Sequence, residues 1–431
     1  MGGNWEVVSL DQIYEFSSGL SKPRASFGAG YPFLSFKDVF YNIFVPRKLT
    51  ELVNSTVQER ESRSIKRGDV FLTRTSETMD ELGMSCVALT DLPEATFNGF
   101  TKRLRPRSET RVVPEYAGYF FRSPAFRRDV TAMSSLSTRA SLNNEMISRL
   151  RITLPPIAEQ VTIGHILKAL DDRIGLNRRM NETLEAMARA LFKSWFVDFD
   201  PVRAKAEGRD SGLPKPLAEL FPDSFDDSEL GEIPKGWSVG TLGDVAEHPR
   251  RGVQPTEIEP STPYIALEHM PRRSIALSEW GAADGLESNK FAFKKGEILF
   301  GKLRPYFHKV GVAPVDGVCS TDIVVVTPRT PEWFGFVLGH VSSNAFVEHT
   351  NSGSTGTKMP RTSWSEMASY ATVIPPEDVA AAFTSQIRLA VDHIIASIHE
   401  SRTLATLRDT LLPKLISGEL RVLTAEEARS R

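Results

Sequence analysis

The sequence is poor in cysteine and has no long apolar run. Its 431 residues include two cysteines, Cys86 and Cys319, far apart along the chain. That number excludes a disulfide framework and a cysteine-based zinc ribbon. No apolar stretch approaches the roughly 18 residues that a membrane helix needs. The N-terminus lacks the basic and apolar regions of a secretory signal, so we expect a reducing cytoplasm as the setting.

The chain also lacks the motifs of several enzyme classes. The proline pairs in Leu154-Pro-Pro156 and Ile374-Pro-Pro376 have no preceding Asp or Asn, which adenine methylation would need. Gly353-Ser-Thr-Gly-Thr-Lys358 has its Gly and Lys in the wrong places for a phosphate-binding loop, so it is interpreted as a flexible loop. No cluster of His and Cys predicts a metal site. We therefore expect no catalytic residues, no metal and no cofactor bound by this chain.

The net charge of −2 gives no strong basic signature. Residues 1–155 carry 21 Lys/Arg against 17 Asp/Glu, whereas residues 198–231 carry nine Asp/Glu against four Lys/Arg, with four prolines. A protein that binds DNA alone usually has a larger basic excess, so DNA binding here would be shared with partner subunits. The acidic segment is expected to be an exposed, extended connection.

Short segments recur in the same order with a period of about 220–232 residues. Trp5-Glu-Val-Val-Ser-Leu10 recurs as Trp237-Ser-Val-Gly-Thr-Leu242, and Ile65-Lys-Arg-Gly-Asp-Val-Phe71 as Phe293-Lys-Lys-Gly-Glu-Ile-Leu299. A colinear series of six such matches indicates two structurally equivalent halves. Each half has about 150 residues with short apolar runs typical of β-rich mixed structure, and a Pro-Pro pair then opens a helix.

Two long amphipathic helices are predicted, at about Ile157–Val197 and Glu377–Leu412, from apolar residues three or four apart. The first stripe includes Met180 and Met187, and Pro413 should end or kink the second helix. Forty residues make a rod of roughly 60 Å, too long for one domain to bury. We predict an antiparallel coiled coil rather than two unrelated surface helices. The predicted helix-pairing residues are Ile163, Leu167, Leu170, Ile174, Leu184, Leu191, Ile387, Val391, Ile394, Ile398, Leu407 and Leu411.

Together these patterns predict an α+β fold built as a pseudo-two-fold tandem repeat. Two globular, β-rich mixed domains are separated by the two long helices. The predicted organisation is a first globular domain at 1–155, a central helix at 156–198, an acidic Pro-containing linker at 199–231, a second globular domain at 232–376, and a distal helix and tail at 377–431.

Two similar domains on long helices suit a protein that reads two separated half-sites on double-stranded DNA. Basic and polar loop residues are the candidates for such contacts, although each could be only a solvated charge. The strand-like cluster Lys102, Arg103, Arg105 and Arg107 is interpreted instead as an exposed strand face. The DNA-binding candidates are Lys22, Arg24, Arg74, Thr75, Ser137, Thr138 and Arg139 in the first half, and Arg250, Arg251, Lys302, Arg304, Tyr306, Ser354, Thr355, Lys358 and Arg361 in the second.

Four aromatic residues close the central helix: Phe192, Trp195, Phe196 and Phe199. They could pack as core where the helix meets a globular domain. They could also form a docking surface for partner subunits, because Trp and Phe are favoured interface anchors.

Several longer segments carry a family resemblance over almost the whole chain. They are Leu154-Pro-Pro-Ile-Ala-Glu-Gln160, Ala190-Leu-Phe-Lys-Ser-Trp-Phe-Val-Asp-Phe-Asp-Pro-Val202, Gly231-Glu-Ile-Pro-Lys-Gly-Trp237, Gly296-Glu-Ile-Leu-Phe-Gly-Lys-Leu-Arg-Pro-Tyr306 and Leu411-Leu-Pro-Lys-Leu-Ile-Ser-Gly-Glu-Leu420. The chain resembles the specificity subunit of type I restriction–modification systems. The resemblance implies a non-catalytic subunit that recognises a bipartite asymmetric DNA site, with residues 1–155 and 232–376 as its two target-recognition domains. It also implies that two methyltransferase subunits bind to its helices and recruit restriction–translocase subunits. S-adenosylmethionine, ATP and Mg²⁺ would be bound by those partners.

Two other classes of protein stay open at the level of sequence. One is a stand-alone, single-chain DNA methyltransferase or nuclease with the same architecture. The other is a protein-binding adaptor that uses the coiled coil as a tether. Turnover by the purified chain alone would favour the enzyme, whereas specific protection of two DNA half-sites would exclude the adaptor.

Overall fold

The computed structural model describes residues 5–76, 81–108, 111–133, 135–136, 140–356 and 358–422. As predicted, the fold is α+β. The chain divides into two compact units, Met1–Arg173 with Leu404–Arg431, and Ile174–Thr403. Both boundaries fall inside the two long helices, so each unit contains one globular domain and part of each helix. Among the described residues, no helix combines the length and apolarity needed to cross a membrane.

The central helix and the distal helix are continuous over about 40 residues each, at Ile157–Phe196 and Glu377–Ser417. In chain order they are α7 and α14. The other elements of the first unit are β1 (Glu6–Ser9), α1 (Leu10–Ile13), β2 (Tyr14–Ser18), β3 (Phe27–Leu34), α2 (Phe36–Tyr41), β4 (Leu52–Val53), α3 (Val57–Arg63), β5 (Val70–Thr73), β6 (Thr75–Ser76), β7 (Ser85–Val87), β8 (Thr96–Phe97), β9 (Thr101–Pro106), α4 (Pro114–Phe120), α5 (Pro124–Met133), β10 (Ser135–Leu136), β11 (Ala140–Ser141), α6 (Asn144–Arg149) and β12 (Arg151–Leu154), with a 3-10 turn at Arg24–Ser26.

The second unit has the same kind of composition. Its elements are α8 (Asp200–Ala206), α9 (Lys215–Ala218), β13 (Phe225–Ser228), β14 (Gly231–Pro234), β15 (Ser238–Thr241), α10 (Leu242–Val245), β16 (Ala246–Glu247), β17 (Gly252–Val253), β18 (Pro263–Ile265), β19 (Gly281–Ala282), β20 (Lys290–Phe293), β21 (Ile298–Gly301), β22 (Val310–Val312), β23 (Gly317–Cys319), β24 (Ile323–Pro328), α11 (Phe334–Val341), α12 (Asn344–Ser352), α13 (Trp364–Ala368) and β25 (Ala371–Ile374), with 3-10 turns at Pro255–Glu257, Leu267–His269, Pro305–Phe307 and Pro331–Trp333.

The strand pairings repeat from one unit to the other, which confirms the predicted duplication. The four-stranded sheet β2-β9-β5-β7 of the first unit has its counterpart in β16-β24-β21-β22 of the second. The antiparallel pair β1 and β12 corresponds to β15 and β25. The parallel pair β3 and β8 corresponds to β18 and β23. Both domains therefore place their loops on equivalent strand ends.

Each long helix begins directly after its proline pair, as predicted. At the start of the central helix, the buried Gln160 accepts a hydrogen bond from the Val113 amide (2.9 Å) and donates one to the Pro155 carbonyl (2.9 Å). The prediction that Pro413 could end the distal helix was wrong. The helix continues to Ser417, because Leu415 and Ile416 are buried in the core of the first unit and hold its last turn.

In the first unit the two long helices pair in opposite directions. Near the start of the central helix, Glu159 accepts a hydrogen bond from Arg421 (2.7 Å). Further along, Asp171 accepts one from Arg408 (2.6 Å). From Glu159 to Asp171 the residue numbers rise along the central helix, while those of their partners fall from Arg421 to Arg408. The two segments therefore run antiparallel, as predicted.

The same direction holds within the second unit. Asn177 donates to the Glu400 carboxylate (2.7 Å) and the Ser401 hydroxyl (3.2 Å). Nineteen residues on, the Phe196 ring packs against Phe383, with 4.9 Å between ring centroids. In the second unit, the contacts of the paired helices are therefore both polar and apolar.

Most predicted pairing residues are at least partly buried. Met180 and Met187 were assigned wrongly to the buried stripe, because 41% and 63% of their surfaces are exposed. The buried face there passes instead through Asn177, Asn181 and Glu185, which are four residues apart and mark one side of a helix. Fully buried predicted residues are Ile163, Leu167, Ile387, Val391, Ile394 and Ile398; partly buried ones are Leu170, Ile174, Leu184, Leu191 and Leu411; Leu407 is 45% exposed, and its neighbour Arg408 makes the contact with Asp171.

The segment 199–231 is folded, which corrects the expectation of an extended connection, although most of its residues are at least partly exposed, as predicted. It forms α8, α9 and most of the β13–β14 hairpin. Phe199, Val202 and Phe221 are buried in the core of the second unit. Their burial outweighs the self-repulsion of the acidic side chains, because apolar burial stabilises by about 25 cal/mol per Å² whereas exposed charges are screened by salt.

Burial in the second unit should make its stability depend on pH through His340. The imidazole packs among Phe192, Phe336 and Tyr370 and lies 3.0 Å from the Thr372 hydroxyl. Burial lowers the pKa of His340 to about 3. The unfolded chain therefore binds one more proton than the folded chain between about pH 6.5 and pH 3. Stability is present above pH 6.5 and is lost as the pH falls through that window.

At pH 5.0 the His340 contribution should be lower than at pH 7.5 by about 2 kcal/mol. Urea unfolding of the full chain and of His340→Gln at both pH values measures it. The variant should lose less stability on acidification than the parent chain. An equal loss in the two proteins would contradict the assignment to His340.

Candidate nucleic-acid interface

Three loops of the second domain meet at the end of β21. The Lys302 amide donates to the Asp322 carbonyl (2.9 Å), and the Lys302 carbonyl accepts from the Thr362 amide (3.1 Å). The Arg304 amide donates to the Pro360 carbonyl (2.7 Å). These backbone bonds hold residues 302–306, 320–322, 354–356 and 358–362 together, a set that we call the second basic cluster.

The side chains of this cluster are mostly basic and exposed. Thr355 and Arg361 form a backbone pair (3.0 and 2.9 Å) at the base of a turn that carries the exposed Lys358. The Arg361 side chain is half exposed and donates to Asp322 (3.2 Å). The Ser354 hydroxyl is bonded to the Asn351 carbonyl (2.6 Å). The turn therefore presents two cations and a threonine hydroxyl to solvent.

Arg304 and Tyr306 follow on the same loop. Arg304 has φ 51°, a left-handed conformation that costs a non-glycine residue about 1–2 kcal/mol. Its Nε is buried without a hydrogen-bond partner in the part of the chain that the structure describes. Tyr306 is 50% exposed. Strained residues of this kind tend to occur at functional sites, which favours a binding role for this loop.

The two arginines after β16 have different roles. Arg250 is exposed and has φ 46°. Arg251 donates two hydrogen bonds to the Glu297 carboxylate (2.5 and 2.9 Å). This ion pair is structural, so Arg251 is less available than Arg250 for a contact with DNA. Nearby, burial lowers the pKa of His248, and the charges of Arg250 and Lys302 lower it further. Arg250 and Lys302 therefore both lie near the His248 imidazole.

The first domain has an equivalent frame around Arg74. The Arg74 amide donates to the Phe100 carbonyl (3.0 Å), and its carbonyl accepts from the Leu142 amide (2.8 Å). This is the pattern seen at Lys302, so the structure agrees with the sequence match between the two residues. Thr75 pairs with Ser141 across β6 and β11. The candidates Ser137, Thr138 and Arg139 lie outside the described residues.

Lys22 and Arg24 lie on another loop of the first domain. Lys22 donates to Glu59 (2.8 Å) and only 20% of its side chain is exposed. That hydrogen bond lowers the pKa of Glu59, as expected for a carboxylate held by a cation. Arg24 is exposed on its 3-10 turn. Of the two, Arg24 is the better placed for an intermolecular contact.

The basic run on β9 is a strand, but it is not an exposed face. Lys102 and Arg103 are buried, at 8% and 6% exposed. Lys102 donates to the Ser18 hydroxyl (2.8 Å), and Arg103 donates to the Ser64 carbonyl (2.7 Å). Arg105 makes two hydrogen bonds with Asp69 (2.8 and 2.7 Å). Lys102 and Arg103 can be buried because each has an acceptor nearby. Arg105 is partly buried, and Arg107, which follows the strand, is exposed as predicted.

The aromatic end of the central helix is core, so its interpretation as a docking surface was wrong. Phe192, Trp195, Phe196 and Phe199 are each less than 8% exposed. The Trp195 ring packs edge-on against Phe221 at 4.9 Å between centroids. These rings belong to the largest apolar cluster of the second unit.

Sequence reasoning missed two residues that frame the clusters, Asp322 and Phe100. The Asp322 carbonyl accepts a hydrogen bond from the Lys302 amide, and its carboxylate accepts one from the Arg361 side chain. Phe100 occupies the same backbone position beside Arg74 and is 59% exposed. The repeat itself could have indicated them, because an offset of 222 residues aligns Phe100 with Asp322.

Comparisons with known proteins agree with this architecture. Residues 2–186 match the model of the type I restriction modification DNA specificity domain. The MjaIX specificity subunit of Methanocaldococcus jannaschii is 25% identical over 97% of this chain and 94% of its own length. The HindI specificity subunit of Haemophilus influenzae is 25% identical over 97% of this chain and its whole length. The crystal structure of a type I S subunit from M. genitalium superposes with a TM-score of 0.58 at 13% identity, covering 96% of each chain, and therefore has a similar fold.

Proposed function

We propose that this chain is a DNA specificity subunit of a type I restriction–modification system and that it reads a bipartite, asymmetric DNA site. It is a non-catalytic recognition subunit, and each globular domain contacts one half-site. The choice of methylated and cleaved sequence then lies in the loops of this chain, whereas the chemistry is carried out by other subunits.

The duplicated loop frame is the observation that supports this proposal. Arg74 and Lys302 have equivalent backbone hydrogen bonds in the two domains, yet the residues that follow them differ. The first domain continues with Thr75-Ser76 and the second with Leu303-Arg304. One scaffold with two sets of side chains suits two half-sites of different sequence, because base edges are read by side chains.

We also propose that two methyltransferase subunits bind to the long helices and recruit restriction–translocase subunits in the cytoplasm. Exposed apolar residues on both helices support this docking, because large apolar side chains in solvent often mark an interface. S-adenosylmethionine, ATP and Mg²⁺ would then be bound by those partners, which would also neutralise part of the DNA charge. The exposed apolar residues are Ile157, Val161, Leu176, Met180 and Met187 on the central helix, and Leu389 and Leu407 on the distal helix.

Methylation mapping tests the recognition proposal. A host that expresses the modification subunits should acquire methylated bases at one bipartite sequence only when this chain is also present. The purified chain incubated with DNA, S-adenosylmethionine and Mg²⁺ should show no turnover by itself. Methylation of the same sequence without this chain would contradict the proposal.

Charge on the exposed apolar surface of the helices should prevent partner docking. Met187→Glu with Leu389→Glu is expected to weaken co-purification of the modification subunits at least tenfold, because the interface would have to desolvate two carboxylates. Both side chains are more than 60% exposed, so the unfolding transition of the chain should stay unchanged. The matched control is Thr183→Glu with Ser385→Glu, which adds the same charge at exposed polar positions. Equal co-purification of the two double variants would count against docking at this surface.

A further inference from the structure

A cavity of about 530 Å³ lies within the second unit, beside the central helix and α11. Its volume is in the range of small-molecule sites. Apolar side chains line much of it, among them Phe192, Ile275, Leu338 and Phe383. None of the DNA-binding candidates is among its lining residues, so a role in DNA recognition does not account for it.

The charged residues that line this cavity are mostly cations. Arg189, Lys193 and Arg273 face one carboxylate, Glu185. Glu185 forms an ion pair with Arg189 (3.3 Å) and also accepts hydrogen bonds from the Ser274 hydroxyl (2.7 Å) and from the amides of residues 275 and 276 (3.2 Å each). Lys193 pairs with the partly exposed carboxylate of Asp198, whereas Arg273 donates to the neutral side chain of Asn344 (2.9 Å). The charge of Arg273 is therefore the one most available to a ligand. The lining therefore favours an anionic group.

His308 supplies a buried acceptor at the same cavity. It is 6% exposed, and its Nε2 lies 2.9 Å from the Ser342 carbonyl. A carbonyl only accepts hydrogen bonds, so Nε2 carries the proton and Nδ1 of the neutral ring is an acceptor. Burial lowers the pKa of His308, and Arg273 and Arg189 lower it further, which keeps the ring neutral. Nδ1 has no hydrogen-bond partner among the described residues.

We infer that this cavity is a binding site for a small organic anion with an apolar ring or chain and one N–H or O–H donor. The anionic group is held by Arg189, Lys193 and Arg273, the apolar body lies against Phe192 and Leu338, and the donor binds Nδ1 of His308. The site is independent of the proposed DNA interface.

Calorimetric titration of the full chain with two matched probes tests each part of the site. Indole-3-acetate has a carboxylate, an aromatic body and a ring N–H, whereas 1-naphthaleneacetate has no ring N–H. Both should bind with a stoichiometry of one, and the indole should bind about fivefold more tightly because of one additional hydrogen bond. In His308→Gly the two affinities should become equal, because the side-chain acceptor is removed; glycine is chosen because it tolerates the left-handed backbone of this position (φ 51°).

Two further variants locate the binding. Ala188→Phe fills the cavity and should abolish binding of both probes, whereas Ala190→Phe, at an exposed position of the same helix, should leave it unchanged. Arg189→Glu should weaken both probes at least tenfold. Circular-dichroism melting curves identify any variant that is unfolded. Absence of saturable binding to the parent chain, equal affinity of the two probes for it, or binding that persists in a folded Ala188→Phe would overturn the proposal.

Discussion

Replacing Lys302 and Lys358 with glutamate is expected to weaken DNA binding by the assembled complex about a hundredfold at 0.1 M salt. Each substitution removes a cation from the second basic cluster and adds an anion that repels phosphate. The slope of the logarithm of the binding constant against the logarithm of salt concentration should fall in magnitude by about two, one for each lysine. Fluorescence anisotropy with a duplex that carries the methylated sequence measures both quantities.

A control with the same change of net charge separates a local effect from a general one. Lys235→Glu with Lys295→Glu alters exposed lysines on other loops of the same domain and should have a much smaller effect. An equal loss in the two double variants would show that the second basic cluster is not the contact surface.

Arg304 distinguishes phosphate binding from base reading. Arg304→Gly removes the guanidinium and keeps a residue that accepts the left-handed backbone, so the loop should retain its path. Loss of about 1–3 kcal/mol that is concentrated on one half-site would indicate a base contact. A uniform loss on specific and unrelated duplexes would indicate a phosphate contact.

The second large effect is expected in the core, from Trp195→Ala. Trp195 is 2% exposed and its ring contacts Phe196, Phe221 and Phe383. Truncation of a buried aromatic residue costs about 3–5 kcal/mol, because apolar contacts are lost and a cavity remains. The variant should show a large decrease in the urea midpoint of the second unit.

Met187→Ala on the same helix is the comparison, since most of that side chain is exposed. Its effect on the free energy of unfolding should be within about 0.5 kcal/mol. The assignment of Trp195 to the core would be contradicted by unfolding curves that coincide for the two variants.

The large-scale organisation could be predicted because it is encoded locally and twice. The proline pairs and the helical periodicity located the starts of both long helices at Ile157 and Glu377, as the structure has them. The repeated segments identified the equivalence of Arg74 and Lys302 before any strand pairing was known. These signals need only neighbouring residues and a comparison of the chain with itself.

What could not be predicted depends on contacts between distant residues. Periodicity favoured Met187 for the buried stripe, yet the buried face passes through Glu185, whose carboxylate has partners about 90 residues away. Likewise, Arg251 and Lys22 look like free cations in the sequence, and only the structure shows the carboxylates of Glu297 and Glu59 beside them. A polar residue is buried when a distant partner satisfies it, and hydrophobic patterning carries no information about that partner.

The composition of the first unit has a consequence for the order of events during synthesis. Its core includes Leu415 and Ile416, and Trp5 lies against Gly418 and Arg421. The ribosome makes residues 5–173 before residues 174–403, yet the core of the first unit lacks these side chains until residues 415 and 416 have also been made. The second unit, by contrast, is one continuous stretch of chain and can fold as soon as residue 403 has emerged. The domain that is translated first is therefore the last to be completed.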